Sequence, residues 1–156
     1  MPYCASDVAA SLRASRRHFL RHLVGLAPDQ WDWKPYPECM SVRETLAHLV
    51  CDDRAALEAL QTGREPDYAA HQEAERDIEA LRGMLDRSHD MLCEAIERDL
   101  VDKAIDAEVS AYGAPVKLGA LAVILCSEDY YHAGQVAYIR QATDPSWDYY
   151  QAIYGD

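Results

Sequence analysis

The chain has 156 residues, and 49% of them are hydrophobic, enough to bury a core and too many for a disordered chain. It carries 27 acidic against 15 basic side chains, a formal net charge of −12, which argues against nucleic acid or an anionic membrane as partner. No substrate follows from that balance, because an acidic surface is ordinarily just a soluble one.

The spacing predicts a first helix over about Ala5 to Gly25, with Val8, Leu12, Phe19 and Leu23 on one face. Ser6 and Asp7 can cap its start, and Gly25 sits near its end. Arg13, Arg16, Arg17 and Arg21 form either a solvated face or partners for acids on neighbouring helices. From Ala27 to Met40, Pro28, Pro35 and Pro37 stop any helix. Trp31, Trp33 and Tyr36 in that loop either close the end of a core or wall a pocket.

Ser41 and Glu44 make a capping box that opens a second helix, which Gly63 ends after Thr62. Val42, Leu46, Leu49, Ala56, Leu57 and Leu60 give its apolar stripe, with His48 one residue off it. Asp52, four residues on, is placed to orient the His48 ring. A polar connector with Pro66 leads to a third helix over about Gln72 to Asp99, on which His71 and His89 are expected at the surface. Ile105, Ala107 and Val109 alternate with polar residues and predict a short extended excursion. Pro115 and Pro145 bracket the last helix, about Val116 to Gln141, and an aromatic tail follows that docks on the bundle or meets a second subunit. Four long amphipathic helices add up to an all-α four-helix bundle, one domain over residues 1–156.

Cys4, Cys39, Cys51, Cys93 and Cys126 show no CxxC spacing and are odd in number, so a reducing cytoplasm is expected. The N-terminal stretch lacks the long apolar core of a secretory signal, and the run from Leu118 to Cys126 is too short to span a bilayer.

The stretch that carries chemistry is Ser127-Glu128-Asp129-Tyr130-Tyr131-His132-Ala133-Gly134-Gln135. Glu128 and His132 stack one turn apart, in register with Leu121, Leu125, Val136 and Ile139. A carboxylate and an imidazole so placed can grip a divalent cation, and His48 is the nearest complement upstream. Gly134 costs about 1 kcal/mol inside a helix, which predicts close approach of a neighbouring helix there. His18 and His22 form a competing pair, disfavoured by the surrounding arginines.

The Trp-rich loop, Ser41-Val42-Arg43-Glu44-Thr45-Leu46-Ala47-His48-Leu49, and Tyr131-His132-Ala133-Gly134-Gln135-Val136-Ala137-Tyr138-Ile139-Arg140 together resemble the DinB/YfiT-like family of metalloenzymes. The resemblance implies a four-helix bundle with up-up-down-down connectivity and a divalent metal, often zinc or nickel, held by three histidines. By position, His48 and His132 match two of those histidines, while Glu128 stands where the third is usual. Two histidines and one carboxylate still form a catalytic zinc set or an iron-type triad, and manganese also fits such donors. The chemistry implied is a metal-dependent thiol transferase or hydrolase acting on a small molecule, a low-molecular-weight thiol among them, in a homodimer. The alternative is a non-enzymatic, dimeric binding or stress-associated bundle with a vestigial site.

Overall fold

A computed structural model of the chain describes residues 3–155. Four long helices dominate them: α1 (Ala5–Arg21), α2 (Val42–Thr62), α4 (Ile78–Asp99) and α5 (Leu118–Thr143). Between these lie a short helix α3 (Tyr68–His71) and a hairpin of β1 (Glu108–Ala111) and β2 (Ala114–Lys117), and α6 (Tyr149–Tyr154) ends the chain. The Ser41 side chain accepts from the Glu44 backbone N–H at 3.2 Å, while Glu44 Oε2 accepts from the Ser41 N–H at 2.8 Å, so α2 starts where the capping box predicts. Gly63 ends it in the left-handed region at φ 68°. The expected extended excursion is the antiparallel hairpin, with Glu108 opposite Lys117 and a tight turn at Tyr112 and Gly113, both at positive φ. Among the described residues no helix is long and apolar enough to cross a membrane.

Packing gives each long helix a direction. One cluster joins Val8 and Leu12 of α1 to Ala56 of α2, Leu92 and Ile96 of α4, and Leu118 of α5. The other joins Phe19, Val42 and Leu46, Leu81 and Leu85, and Val136 and Ile139. Helices α1 and α5 therefore run one way and α2 and α4 the other. That is an up-down-down-up order, not the up-up-down-down order expected from the resemblance. The connections supply the reason. Residues 22–41 turn the chain back at one end, whereas residues 63–77 return along α2, where Cys51 meets Tyr68, His71 meets Glu58 and Arg54 meets Glu73. About 15 extended residues reach roughly 50 Å, more than the roughly 32 Å length of α2.

At mid-height the core holds a charge. Arg16 is 5% exposed and donates from Nε to Asp129 Oδ1 at 2.7 Å, and from Nη1 and Nη2 to Asp53 at 3.0 and 3.1 Å. Ser15 donates to Asp129 at 2.7 Å and Ser88 to Asp53 at 2.8 Å, so all four long helices enter one network. Burial works against the charged form of Asp53, yet Arg16 holds its carboxyl below the usual range. Three of the four arginines on α1 thus have partners: Arg13 meets Glu97 at 2.6 Å, and Arg21 donates to the Ile153 carbonyl at 2.7 Å. His89, expected at the surface, is 5% exposed, with Nδ1 3.5 Å from Asp53. It sits four residues after Leu85 and three before Leu92, on the stripe that faces the core. The aromatic tail docks on the bundle through the buried Ile153 of α6 and through Trp147, which lies 4.5 Å from the Arg140 guanidinium.

Truncating Arg16 would leave two buried carboxylates without their counter-charge. Arg16→Ala is expected to lower the unfolding free energy by about 3–5 kcal/mol, read from the urea midpoint. A loss below about 1 kcal/mol would mean that the network carries no such constraint.

Candidate metal centre

The site forms where α2 and α5 face each other across a gap in the bundle wall. His48 comes from α2, and Glu128 and His132 come from consecutive turns of α5. Glu128 Oε2 lies 3.9 Å from His48 Nε2 and 3.7 Å from His132 Nε2, and the three donor atoms fall within 4.8 Å of one another. The two imidazole rings meet edge to face, 4.9 Å between centroids. Ligands about 2.0–2.2 Å from a tetrahedral zinc ion stand roughly 3.4 Å apart, so the two Glu128 separations exceed that spacing by a few tenths of an ångström and the His48–His132 separation by no more than about 1.4 Å. Among the described residues this is the one group of three or more His, Cys, Asp or Glu side chains so arranged.

The two histidines are prepared differently. His132 is 3% exposed, and its Nδ1 lies 2.7 Å from Gln135 Oε1. The amide oxygen can only accept, so Nδ1 carries the proton and the Nε2 lone pair points at Glu128. Burial holds His132 below the ordinary imidazole value, partly offset by the Gln135 bond, so the ring is neutral at neutral pH, as a ligand must be. His48 is more open, and its Nε2 lies 3.1 Å from Asp52 Oδ2. Asp52 therefore meets the nitrogen that also faces Glu128, rather than holding the ring from its far side. Burial, with Glu128 adding and His48 opposing, pushes the Asp52 carboxyl up to about 6.

Beside the triad opens a cleft of about 730 Å³, walled by Pro35, Tyr36 and Met40 of the loop and by Tyr131, Tyr138 and Ile139 of α5. The aromatic loop divides between both of its expected roles: Trp31 and Trp33 pack on the core, and Tyr36 lines the cleft. Gly134 is not where a neighbouring helix comes close. A Cβ built there meets nothing within 4 Å, and the residue lies in the cleft wall, where a side chain would intrude. The competing histidines serve packing: His22 Nδ1 bonds the His18 carbonyl at 2.9 Å, and the two rings nest against Tyr130, Tyr149 and Tyr154.

A family model described as the DinB superfamily matches residues 11–136 of the chain. No curated protein matches it. Among solved structures, the crystal structure of a DinB-like protein from Bacillus subtilis, YjoA, is similar with a TM-score of 0.65. The likeness covers 92% of this chain and 96% of that one at 17% identity, which speaks for the fold alone.

Asp52 sets a pH dependence in the metal-free protein. Its folded value of about 6 lies above the ordinary 3.8, so the folded state holds the extra proton between about pH 4 and pH 6. Stability therefore falls as pH rises through that window, and the penalty is complete at pH 7. After allowance for partial exposure, Asp52→Asn is expected to stabilise the protein at pH 7 by about 1–2 kcal/mol and to flatten the rise in Tm from pH 7 to pH 5. An unchanged pH profile in thermal melts would contradict this.

Proposed function

The chain belongs to the DinB superfamily, and on that premise we propose that it is a divalent-metal-dependent enzyme whose ion is held by His48, Glu128 and His132. The observation that carries the proposal is the convergence of three donors within 4.8 Å beside a cleft of small-molecule size. Two imidazoles and a carboxylate suit zinc or nickel, and iron or manganese as well. Three protein ligands would leave an ion with a coordination position to spare, the mark of a catalytic rather than a structural site. An ion there supplies Lewis acidity to an oxygen or sulfur donor of the substrate, which fits either a hydrolase or a thiol transferase.

The chain's own residues prepare that position. Gln135 fixes the His132 tautomer and Gly134 keeps the wall beside the donors free of side chain, whereas Asp52 would have to release His48 Nε2 to the ion. Glu128 replaces the histidine usual in the resembled family and brings a negative charge that lowers the net charge of a loaded site by one. A second reading, a dimeric binding bundle without metal, draws on Ile124, Tyr131 and Tyr138, which are exposed at seven-residue spacing along α5.

Reconstitution with zinc or nickel, followed by mass-spectrometric metal analysis, is expected to give close to one equivalent and a raised Tm. Less than about a tenth of an equivalent with an unchanged Tm would sink the enzyme reading in favour of the binding bundle. Gln135→Ala is expected to weaken metal binding by about 10–100-fold while leaving the fold intact. His48→Ala at full metal content would refute the ligand assignment.

A further inference from the structure

The cleft beside the triad has mostly apolar walls. Pro35, Tyr36, Met40, Tyr131, Tyr138 and Ile139 offer rings and alkyl groups, and neither Lys nor Arg lines it. Among the described residues its one charged side chain beyond the triad is Glu38, which is negative. The basic residues that flank these walls in sequence are committed elsewhere. Lys34 Nζ lies 2.6 Å from Glu44, Arg43 Nε lies 2.7 Å from Asp32, and Arg140 Nη1 donates to the His22 carbonyl at 2.9 Å. An anionic group pressed against these walls would give up part of its water, find no cationic side chain and meet Glu38. An aromatic or alkyl body would bury apolar area against three tyrosine rings.

We infer that the substrate of this site carries one metal-binding head and an uncharged aromatic or alkyl body, with no carboxylate or phosphate on the part that lies in the cleft. This rests on the metal-site reading above and narrows it. It selects against thiol cosubstrates that carry carboxylates away from the sulfur, and towards neutral ones or small aromatic substrates. The selection comes from what the walls lack. A metal binds many heads, whereas a cleft without a cation has nothing with which to hold a charged tail.

The test separates the head from the body. Zinc stoichiometry is measured first. The zinc-loaded protein is then titrated calorimetrically with acetohydroxamate, benzohydroxamate and 4-carboxybenzohydroxamate, which share one metal-binding head. Benzohydroxamate is expected to bind at least about tenfold more tightly than either of the others. Glu38→Lys, a change at an exposed position, is expected to narrow the penalty on the carboxylated probe at least about threefold while shifting benzohydroxamate less than about twofold. Equal or tighter binding of the carboxylated probe, or of acetohydroxamate, overturns the inference and leaves the metal site standing. If zinc does not bind, the metal reading fails, and 2-naphthol against 6-hydroxy-2-naphthoate on the metal-free protein decides the cleft alone. Preference for naphthol there, lost in Tyr138→Ala, upholds the apolar body, and no preference refutes it.

Discussion

The position of everything else in this bundle depends on one guanidinium. Arg16 sits in the core with a carboxylate from α2 on one side and a carboxylate from α5 on the other. A charge taken that far from water stays only if its partners hold their places, so the pairing fixes the height at which α2 and α5 face each other across α1. Interdigitated side chains resist sliding as well, but they can repack around a changed register. Two hydrogen-bonded carboxylates cannot.

That constraint reaches the candidate site through adjacent residues. Asp53 and Asp129 turn into the charge network, and their immediate neighbours, Asp52 and Glu128, stand about 100° further round their helices, towards the gap between α2 and α5. His48 and His132 lie one turn from those neighbours, on the same faces. The donors therefore stand opposite one another because Arg16 has already set the register of the two helices. The gap stays open because Gly134 presents no side chain to it and because loop residues, not a further packed helix, complete the cleft wall that α5 begins.

Much of this was legible in the sequence, and the failures have physical causes. The caps at Ser41 and Gly63 announce α2 because they answer local hydrogen-bonding needs that no tertiary contact overrides. Glu128 and His132 are readable as a pair because helical spacing converts directly into a shared face, whereas His48, on another helix, joins them through the family resemblance. Helix direction was not readable, since it depends on whether residues 63–77 turn back at once or travel the length of α2, and a polar connector permits both. Nothing local marks Asp129 as buried, but Arg16, lying between Leu12 and Phe19 on the apolar stripe of α1, signals that a buried carboxylate partner exists. His89 was misplaced for the same reason: its charged neighbours in sequence point to solvent while it points inward. Gly134 was explained by the wrong neighbour, an approaching helix instead of an open cleft, because a sequence shows that a side chain is missing but not what fills the space.

The substitution at Glu128 changes the electrostatics of the site more than its geometry. A third histidine would add no negative charge beside Asp52, whereas Glu128 faces Asp52 across His48, and burial already pushes the Asp52 carboxyl up to about 6. Two carboxylates on either side of one imidazole repel each other and raise the energy of the empty site. A divalent cation would relieve that repulsion, so part of its binding energy would come from strain present before it arrives. The same charges leave an anionic tail with no place in the cleft, whose walls supply neither Lys nor Arg. One carboxylate in place of an imidazole thus favours a cation between the helices, while the bare tyrosines around it favour a neutral body beside that cation.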